Sequence, residues 1–179
     1  MLNFIRSALK GKSEKEYRLE QGLIVGKNTT IYSWEGLDGN YPWLISIGNN
    51  TTISSNVTIL AHDASTCKVG CHTKLGIVSI GDNCFIGAKS TVLCDVRIGD
   101  NVIVGAGSVV THDLESGYVY AGSPARKICS FDEYQEKYKK LNETRPNFSE
   151  IHTWNEWKTA STEEKQQMKD ALSDGCGFI

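Results

Sequence analysis

The amino-acid sequence predicts an all-β fold, a parallel β-helix with short strands as its walls, because aliphatic residues recur at every sixth position. One run comprises Ile80, Ile86, Val92, Ile98, Val104 and Val110, and an earlier run comprises Ile47, Ile53 and Ile59. A helix repeats its apolar residues at three and four positions and a plain strand at two, so neither explains this period. One strand and one turn per side predict a three-sided coil with three repeat units in each turn, in which Ile80 stacks on Ile98, Ile86 on Val104 and Val92 on Val110.

The aliphatic residues of the repeat are expected to point inward and to form a column-shaped core. Glycine directly follows several of them, at positions 48, 81, 87, 99 and 105. We expect the glycine or asparagine after each aliphatic residue to tolerate a tight corner, where φ can be positive. A β-sandwich of short strands is the alternative, but six consecutive residues in phase argue against it.

The repeat divides the chain into three segments. They are an N-terminal helical segment at residues 1–21, the β-helix at residues 22–128, and a C-terminal helical extension at residues 129–179. Within the first segment, Glu14 to Gln21 are predicted to form a short helix at one end of the coil. Its lysines and arginines are expected to form a solvated face, with peripheral contact to a membrane surface as the alternative.

The C-terminal extension is predicted to be helical from the spacing of its capping residues. Ser130 with Glu133, and Ser161 with Glu164, have the spacing of capping boxes, so a helix is expected to begin after each serine. Trp154 and Trp157 lie between the two predicted helices. We expect these helices to cover the open end of the coil or to pack on its side, where strand edges would otherwise be unpaired.

An insertion interrupts the repeat after Ile59. The next unit of the coil should begin at position 65 but begins at Ile80, which is fifteen positions late (80 − 65). The segment from about 61 to 78 is therefore predicted to leave the coil as a loop. Long loops on rigid scaffolds are usually functional or disordered. A second irregular stretch, residues 33–42, is also rich in aromatic and polar side chains.

Charge and composition exclude several classes of function. The formal net charge is −2, so no overall positive field indicates a nucleic-acid partner. No apolar run approaches the roughly 18 residues that a membrane span requires. No cleavage site follows Met1 to Lys10, so we expect no signal peptide. The six cysteines are then expected to be reduced thiols in a cytoplasmic protein.

Four stretches between Ile45 and Ile128 carry a family resemblance. They are ILAHD at 59–63, IGDNCFIG at 80–87, VGAGSVVT at 104–111 and AGSPAR at 121–126. The sequence resembles the left-handed β-helix hexapeptide-repeat acyltransferases, and among them the sugar and polysaccharide O-acetyltransferases related to maltose and galactoside acetyltransferases. The resemblance implies a left-handed coil, since periodicity alone gives no handedness, and a homotrimer with active sites between subunits. It also implies direct transfer of an acetyl group from acetyl-CoA to a hydroxyl of a sugar or polysaccharide precursor.

His62 is the candidate general base. It stands at the entrance to the insertion, where the family's catalytic histidine lies, and an imidazole with an ordinary pKa near 6.5 suits proton transfer at neutral pH. Such a base needs a hydrogen-bond acceptor on its other ring nitrogen. The adjacent Asp63 is one candidate, and Glu35, Asp38 and Asn40 are alternatives from the first irregular stretch. The same stretch supplies the candidate substrate-binding residues Trp34, Glu35, Asp38 and Asn40.

The resemblance implies a set of residues that contact acetyl-CoA. The small residues Gly87, Ala88, Gly105 and Ala106 are expected to admit the pantetheine arm, although the glycines also suit the corners of the coil. Phe85 is expected to wall the acyl site. Thr111, His112, Arg126 and Lys127 are expected near the nucleotide phosphates. His112 departs from the lysine that relatives often carry there, and a neutral imidazole would weaken a phosphate contact.

Other functions fit the sequence less well. Cys67, Cys71 and His72 have a loose spacing for zinc and lack an obvious fourth ligand, so no metal site is predicted. A carbonic anhydrase of the γ class would need two closely spaced histidines, which the sequence lacks. A structural or interaction solenoid, such as an ice-binding protein, would need a regular threonine ladder. The alternative within the enzyme class is N-acetylation of an amino-sugar or an antibiotic.

Overall fold

The computed structural model describes residues 11–149 and 158–179. Helix α1 spans Glu14–Glu20, which confirms the predicted N-terminal helix. Ser13 caps it in a capping box, since its side chain accepts the backbone N–H of Glu16 while the Glu16 carboxylate accepts that of Ser13. The predictions that concern Met1 to Lys10, Trp154 and Trp157 fall outside the described residues.

Fifteen short strands make up the β structure of the described residues. They are β1 (Ile24–Val25), β2 (Thr30–Ile31), β3 (Ile45–Ile47), β4 (Thr52–Ile53), β5 (Thr58–Ile59), β6 (His62–Asp63), β7 (Lys74–Leu75), β8 (Val78–Ile80), β9 (Phe85–Ile86), β10 (Thr91–Val92), β11 (Val96–Ile98), β12 (Ile103–Val104), β13 (Val109–Val110), β14 (Tyr118–Ala121) and β15 (Arg126–Ser130). Parallel pairing gives three walls: β1-β3-β8-β11 is the first, β2-β4-β9-β12-β14 the second, and β5-β10-β13 the third. Strand β15 adds to the second wall in antiparallel orientation.

The pairing register confirms the predicted turn of three repeat units. Ile80 pairs with Ile98 in the first wall, Ile86 with Val104 in the second, and Val92 with Val110 in the third. Across the insertion, Ile47 pairs with Ile80. The sequence separation of these two residues exceeds that of paired residues one ordinary turn apart by the fifteen positions predicted from the sequence. The chain therefore resumes the repeat in phase after the insertion.

The core is the column of inward-facing aliphatic residues that the repeat predicts. The aliphatic residues of the two runs are 0–3% exposed, and Ala61, Val78 and Val96 are fully buried beside them. Every turn contributes branched side chains to this column, and burying each one fully stabilises the fold by about 1.5–3 kcal/mol.

The glycines of the repeat have a different role from the one expected. The left-handed backbone lies three residues after the aliphatic residue, at Asn50, Asn56, Asn83 and Asn101 among others, and not at the glycine that directly follows. That glycine is needed because successive turns approach closely. A Cβ atom on Gly81 would lie 2.3 Å from Asp100 Oδ1 and 2.8 Å from the carbonyl carbon of Gly99.

The insertion is a hairpin and begins and ends inside the bounds predicted for it. Ala61 and Val78 are both fully buried and belong to the coil. Between them, β6 and β7 pair antiparallel, with His62 opposite Leu75, and the short 3-10 helix Ser65–Val69 joins them. The segment that leaves the wall is therefore 62–77.

The chain divides into two compact units, Met1–Phe131 and Asp132–Ile179. The predicted end of the coil at residue 128 falls within β15, which continues to Ser130. Helix α2 (Phe131–Thr144) begins directly after Ser130, and α3 (Thr162–Ala171) begins after Ser161, which forms the predicted capping box with Glu164. In the second unit Phe148 N–H donates to Phe178 O at 2.8 Å. No helix among the described residues is both long and apolar enough to cross a bilayer.

Candidate active site

The first irregular stretch returns to the third wall and places Asp38 beside the start of the hairpin. After the short 3-10 helix Trp34–Gly36, Leu37 bridges to Ile59 in parallel, and Asp38 N–H donates to Ile59 O at 2.9 Å. The stretch thus continues the third wall for one more residue pair. Because His62 follows Ile59 by three residues, this pairing brings the side chains of Asp38 and His62 together.

The Asp38 carboxylate is buried, and its hydrogen bonds hold it in one orientation. Its Oδ1 atom accepts the backbone N–H groups of Asn40 at 2.9 Å and Tyr41 at 3.2 Å, and Oδ2 accepts that of Ala61 at 2.9 Å. Oδ2 also bonds Nδ1 of His62. Burial acts to raise the pKa of Asp38, but the hydrogen bonds from His62, Asn40 and Ala61 outweigh burial and hold the pKa below its ordinary value. The carboxylate is therefore ionised at neutral pH.

The contact with Asp38 fixes both the orientation and the tautomer of His62. An ionised carboxylate can only accept, so Nδ1 of the ring carries the proton and donates it. In the neutral ring, Nε2 is then the atom with a free lone pair. The Tyr41 ring packs on the imidazole, with centroids 5.3 Å apart and planes inclined at 60°. The His62 side chain remains 27% exposed, so a reactant can reach it.

His62 opens into a cleft of about 250 Å³ at one edge of the third wall. Leu60, Leu93 and Thr111, which directly follow β5, β10 and β13, line this cleft, and Asp63 and Lys74 line it from the hairpin. The strands of the wall give the cleft a rigid floor, while the hairpin supplies polar side chains. An oriented imidazole at the edge of such a cleft can accept a proton from a hydroxyl group held there.

Of the four candidates for the partner of His62, Asp38 is the one whose side chain bonds the ring. The Asp63 carboxylate accepts the N–H of Ser65 at 2.8 Å, and hydrogen bonding from Ser65 lowers the pKa of Asp63. The Asn40 backbone contributes an N–H to Asp38. Glu35 is exposed, and its backbone oxygen accepts Nη2 of Arg18 at 3.3 Å.

Trp34, predicted to bind substrate, packs partly buried against the core of the coil. The Lys15 ammonium lies 5.6 Å from the centroid of its ring. Glu35 and Asn40, also predicted to bind substrate, lie outside the cleft that contains His62. The predicted substrate-binding set is thus dispersed, and Asp38 is its one member that bonds His62.

The small residues predicted to contact acetyl-CoA lie at the edge of the third wall opposite His62, where the strands of that wall begin. Gly87 and Ala88 follow β9 and precede β10, and Gly105 and Ala106 follow β12 and precede β13. The missing side chain of Gly87 faces the next turn, since a Cβ atom there would lie 2.5 Å from Ala106 N. A Cβ atom on Gly105 would lie 3.0 Å from Ala121 Cβ. The two glycines thus allow close stacking of the turns.

The larger residues predicted to contact acetyl-CoA are spread over the coil. Phe85 is 43% exposed on β9, and Thr111 lines the His62 cleft, with its Oγ1 atom 3.1 Å from Nδ1 of His112. Arg126 is exposed on β15. The ammonium of Lys127 is already bonded to Glu115.

The pairing of Lys127 involves two neighbours. Its Nζ atom donates to Glu115 at 2.7 Å and lies 3.4 Å from the centroid of the Tyr118 ring. The hydrogen bond with Glu115 raises the pKa of Lys127. A phosphate group would therefore compete with these partners for the ammonium.

Sequence reasoning missed Tyr41, which packs on His62, and Arg18, which supports the stretch that carries Asp38. The prediction of a solvated face included Arg18, but this residue is 3% exposed. Its Nε atom donates to Leu37 O at 3.0 Å, and Nη1 bonds the Glu14 carboxylate. The spacing of Glu14 and Arg18, one helical turn apart, is the signal in the sequence that could have suggested a fixed arginine.

The thiols and other potential metal ligands form no cluster in the part of the chain that the structure describes. No group of three or more histidine, cysteine, aspartate or glutamate side chains there has the arrangement of a metal site. Cys67 and Cys71 are exposed on the hairpin, and all six cysteines of the sequence are unpaired.

The sequence matches the family model for the bacterial transferase hexapeptide (six repeats) at residues 77–112. It is 39% identical over 127 residues to a Bacillus subtilis (strain 168) protein named "Putative acetyltransferase YvoF", covering 71% of this chain and 72% of that protein. It is also 37% identical over 139 residues to Protein CapG of Staphylococcus aureus, covering 75% of this chain and 80% of that protein.

Solved structures resemble the fold. A maltose O-acetyltransferase from Clostridium difficile 630 aligns with a TM-score of 0.54 and 25% identity, over 65% of this chain and 73% of that chain. A hexapeptide-repeat containing acetyltransferase from Vibrio cholerae, VCA0836, aligns with a TM-score of 0.53 over 66% of this chain and 88% of that chain. At 18% identity, the second likeness concerns the fold alone.

Proposed function

The chain belongs to the hexapeptide-repeat acyltransferase family, and we propose that it is an acetyl-CoA-dependent O-acetyltransferase that modifies a hydroxyl of a sugar or polysaccharide precursor. The hydrogen bond between Asp38 and His62 is the observation that carries this proposal, because it supplies an oriented base at an open cleft. The name of the Bacillus subtilis relative, an acetyltransferase, supports acetyl transfer. The name of the Clostridium difficile protein, a maltose O-acetyltransferase, supports a saccharide as the acceptor.

His62 acts as a general base in this proposal. Its Nε2 atom accepts the proton of the acceptor hydroxyl while the hydroxyl oxygen attacks the carbonyl carbon of the thioester. Asp38 stays ionised and stabilises the imidazolium that forms. When the carbon–sulfur bond breaks, the imidazolium returns the proton to the departing sulfur. The acetyl group passes directly to the acceptor, so no nucleophilic side chain of the enzyme is required.

Three further properties are part of the proposal: the handedness of the coil, the oligomeric state and the location. The coil is taken as left-handed and the protein as a homotrimer, as the family resemblance implies. Ala88 and Ala106 lie at the other end of the third wall from His62, so one subunit would supply the histidine and its neighbour the surface along which acetyl-CoA lies. A cytoplasmic location fits six unpaired thiols.

A thiol-release assay with acetyl-CoA tests the proposal directly. Acceptors would include monosaccharides, oligosaccharides and amino-sugars, and the wild type should release thiol in an acceptor-dependent manner. His62→Ala should lower kcat by about a hundredfold or more, because the attacking hydroxyl loses its base. His72→Ala, on the exposed part of the hairpin, is the matched control and should retain activity.

Three results would count against parts of this proposal. Near-normal turnover by His62→Ala would exclude it as the base. Release with amino-sugars alone, with an amide as the product, would indicate N-acetylation. Acceptor-independent release, or none at all with any acceptor, would exclude saccharide acetylation.

A further inference from the structure

We propose that a second cleft, of about 590 Å³, binds an uncharged saccharide ring of the acceptor against Trp43, with Arg97, Asp95 and Asp113 as partners of its hydroxyl groups. This inference rests on the proposed function and specifies where its acceptor is held. None of these four residues belongs to the predicted substrate-binding set.

Tyr41 lies between the cleft and the candidate active site. The ring of Tyr41 lines the large cleft on one side and packs on the imidazole of His62 on the other. Tyr41 also meets Trp43 edge to face, with ring centroids 5.6 Å apart and planes inclined at 72°. A long acceptor in the cleft would therefore extend toward the base.

The aromatic side of the cleft suits the face of a sugar ring. Trp43 is 54% exposed, although tryptophan is usually well buried, and it stands on the short 3-10 helix Pro42–Leu44. Leu75 at the end of β7 is 49% exposed and lines the same cleft. Pyranose rings present C–H groups on one face, and aromatic rings bind such faces by dispersion and burial of apolar area.

The cleft also has polar lining residues, of which Asp113 is bonded to the backbone of β11. Arg97 lies in the middle of β11 on the outer face of the first wall, and its backbone N–H donates to Asp113 Oδ1 at 2.7 Å. Asp95 lies 3.7 Å from the ammonium of Lys74. Guanidinium donors together with carboxylate acceptors can bond the vicinal hydroxyl groups of a sugar, which are both donors and acceptors.

The charges of the lining favour an uncharged ligand over the nucleotide end of acetyl-CoA. Two carboxylates and one guanidinium line the cleft, and the Lys74 ammonium beside it is paired with Asp95, so no surplus of cations is left for the phosphate groups of a nucleotide. The volume is within the usual range for small-molecule sites. An uncharged saccharide has no need for several cations.

Ligand-observed NMR on the full-length protein tests the inference without relying on turnover. Saturation-transfer difference spectra would be recorded with maltotriose and with N-acetylglucosamine, and with glucuronate as an anionic comparison. The wild type should give signals from at least one of the uncharged sugars. Trp43→Ala and Arg97→Gln should abolish them, and glucuronate should bind more weakly.

Tyr32→Ala is the matched control, because Tyr32 is an exposed aromatic residue (61%) that does not line the cleft. It should leave the NMR signals unchanged. Melting temperatures of all three variants would verify that they are folded, so that loss of signal reports on the cleft.

Kinetics then separate this inference from the proposed function. In the thiol-release assay, Trp43→Ala should raise the KM for the saccharide about tenfold or more with the KM for acetyl-CoA unchanged, as expected for lost acceptor binding. A rise confined to the KM for acetyl-CoA would show that the cleft holds the other substrate.

Saccharide-dependent turnover with unchanged KM values in Trp43→Ala would overturn the inference alone. Sugar binding that depends on Trp43, without acetyl transfer, would overturn the proposed function and leave the cleft as a saccharide site. Absence of NMR signals from both uncharged sugars would also overturn the inference.

Discussion

Asp38 is held by more hydrogen bonds than His62, and this difference indicates which of the two residues positions the other. Three backbone N–H groups and the imidazole converge on its two oxygen atoms. The carboxylate is therefore fixed by the chain around it, and the imidazole is fixed by the carboxylate. Substituting Asp38 changes the orientation and charge of the candidate site, whereas substituting His62 removes the proposed base itself.

We predict that Asp38→Asn lowers kcat about a hundredfold or more in the thiol-release assay. The amide oxygen can still accept backbone N–H groups, but the residue no longer carries the charge that stabilises the imidazolium. Glu35→Gln is the matched control, since this exposed carboxylate of the same stretch lies outside the cleft that contains His62, and it should stay near the wild type. Equal losses in the two variants would argue against a specific role for Asp38.

At the scale of residues, the sequence indicates His62 as a candidate base but leaves its partner open among four residues. The repeat has a fixed phase, so the sequence shows that the coil is interrupted soon after Ile59 and places His62 near the start of the insertion. The contact with Asp38 depends on the stretch at 33–38 returning to pair with Ile59, and no local pattern specifies that pairing. The same holds for Tyr41, whose backbone N–H donates to Asp38 and whose ring packs on His62.

At the scale of elements, close stacking of the turns determines which residues can follow each inward aliphatic residue. Gly81 has an ordinary backbone angle and is needed because the Asp100 side chain and the Gly99 backbone lie where its Cβ atom would be. The tight corner falls two residues later, at Asn83, where φ is 55°. Gly81 is thus needed because there is no room for a side chain, and Asn83 because the backbone is left-handed there.

We predict that Gly81→Ala destabilises the fold by about 1–3 kcal/mol, as overpacking of a tight interior does. Backbone atoms of the next turn must move to admit the methyl group. Asn83→Gly is the matched control, because glycine adopts positive φ readily, and it should change stability little. Thermal unfolding followed by circular dichroism measures both variants. A loss with Asn83→Gly that equals or exceeds the loss with Gly81→Ala would contradict this division of roles.

The period of six predicts the strands and their register because the same short unit recurs along the chain. It does not predict the form of the insertion, since the hairpin of β6 and β7 lacks that period. Nor does it predict that Ala61 and Val78 stay in the core, because each lies outside the six-residue series. The boundary of an insertion therefore requires knowledge of which side chains still face inward.

At the scale of the whole molecule, the candidate groups for the two substrates are separated. His62 and Thr111 lie where strands of the third wall end, while Ala88 and Ala106 lie before strands of that wall begin. The five residue-to-residue steps from Ala88 to Leu93 span up to about 16 Å. A closed threefold ring offers a way to join them, because each subunit then presents one end of this wall to each neighbour.

We predict that the protein sediments as a trimer in analytical ultracentrifugation and that two inactive variants complement each other. His62→Ala removes the base, and Ala106→Arg blocks the proposed acetyl-CoA surface at the other end of the wall. In trimers formed by co-expressing the two at equal levels, a site is intact when one subunit supplies His62 and the next supplies Ala106. Random assembly gives about one quarter of the wild-type activity if the sites lie between subunits. Each variant alone provides the baseline, and differently tagged subunits allow mixed trimers to be purified. A monomer that retains full activity, or mixed trimers that stay inactive, would show that both groups must belong to one chain.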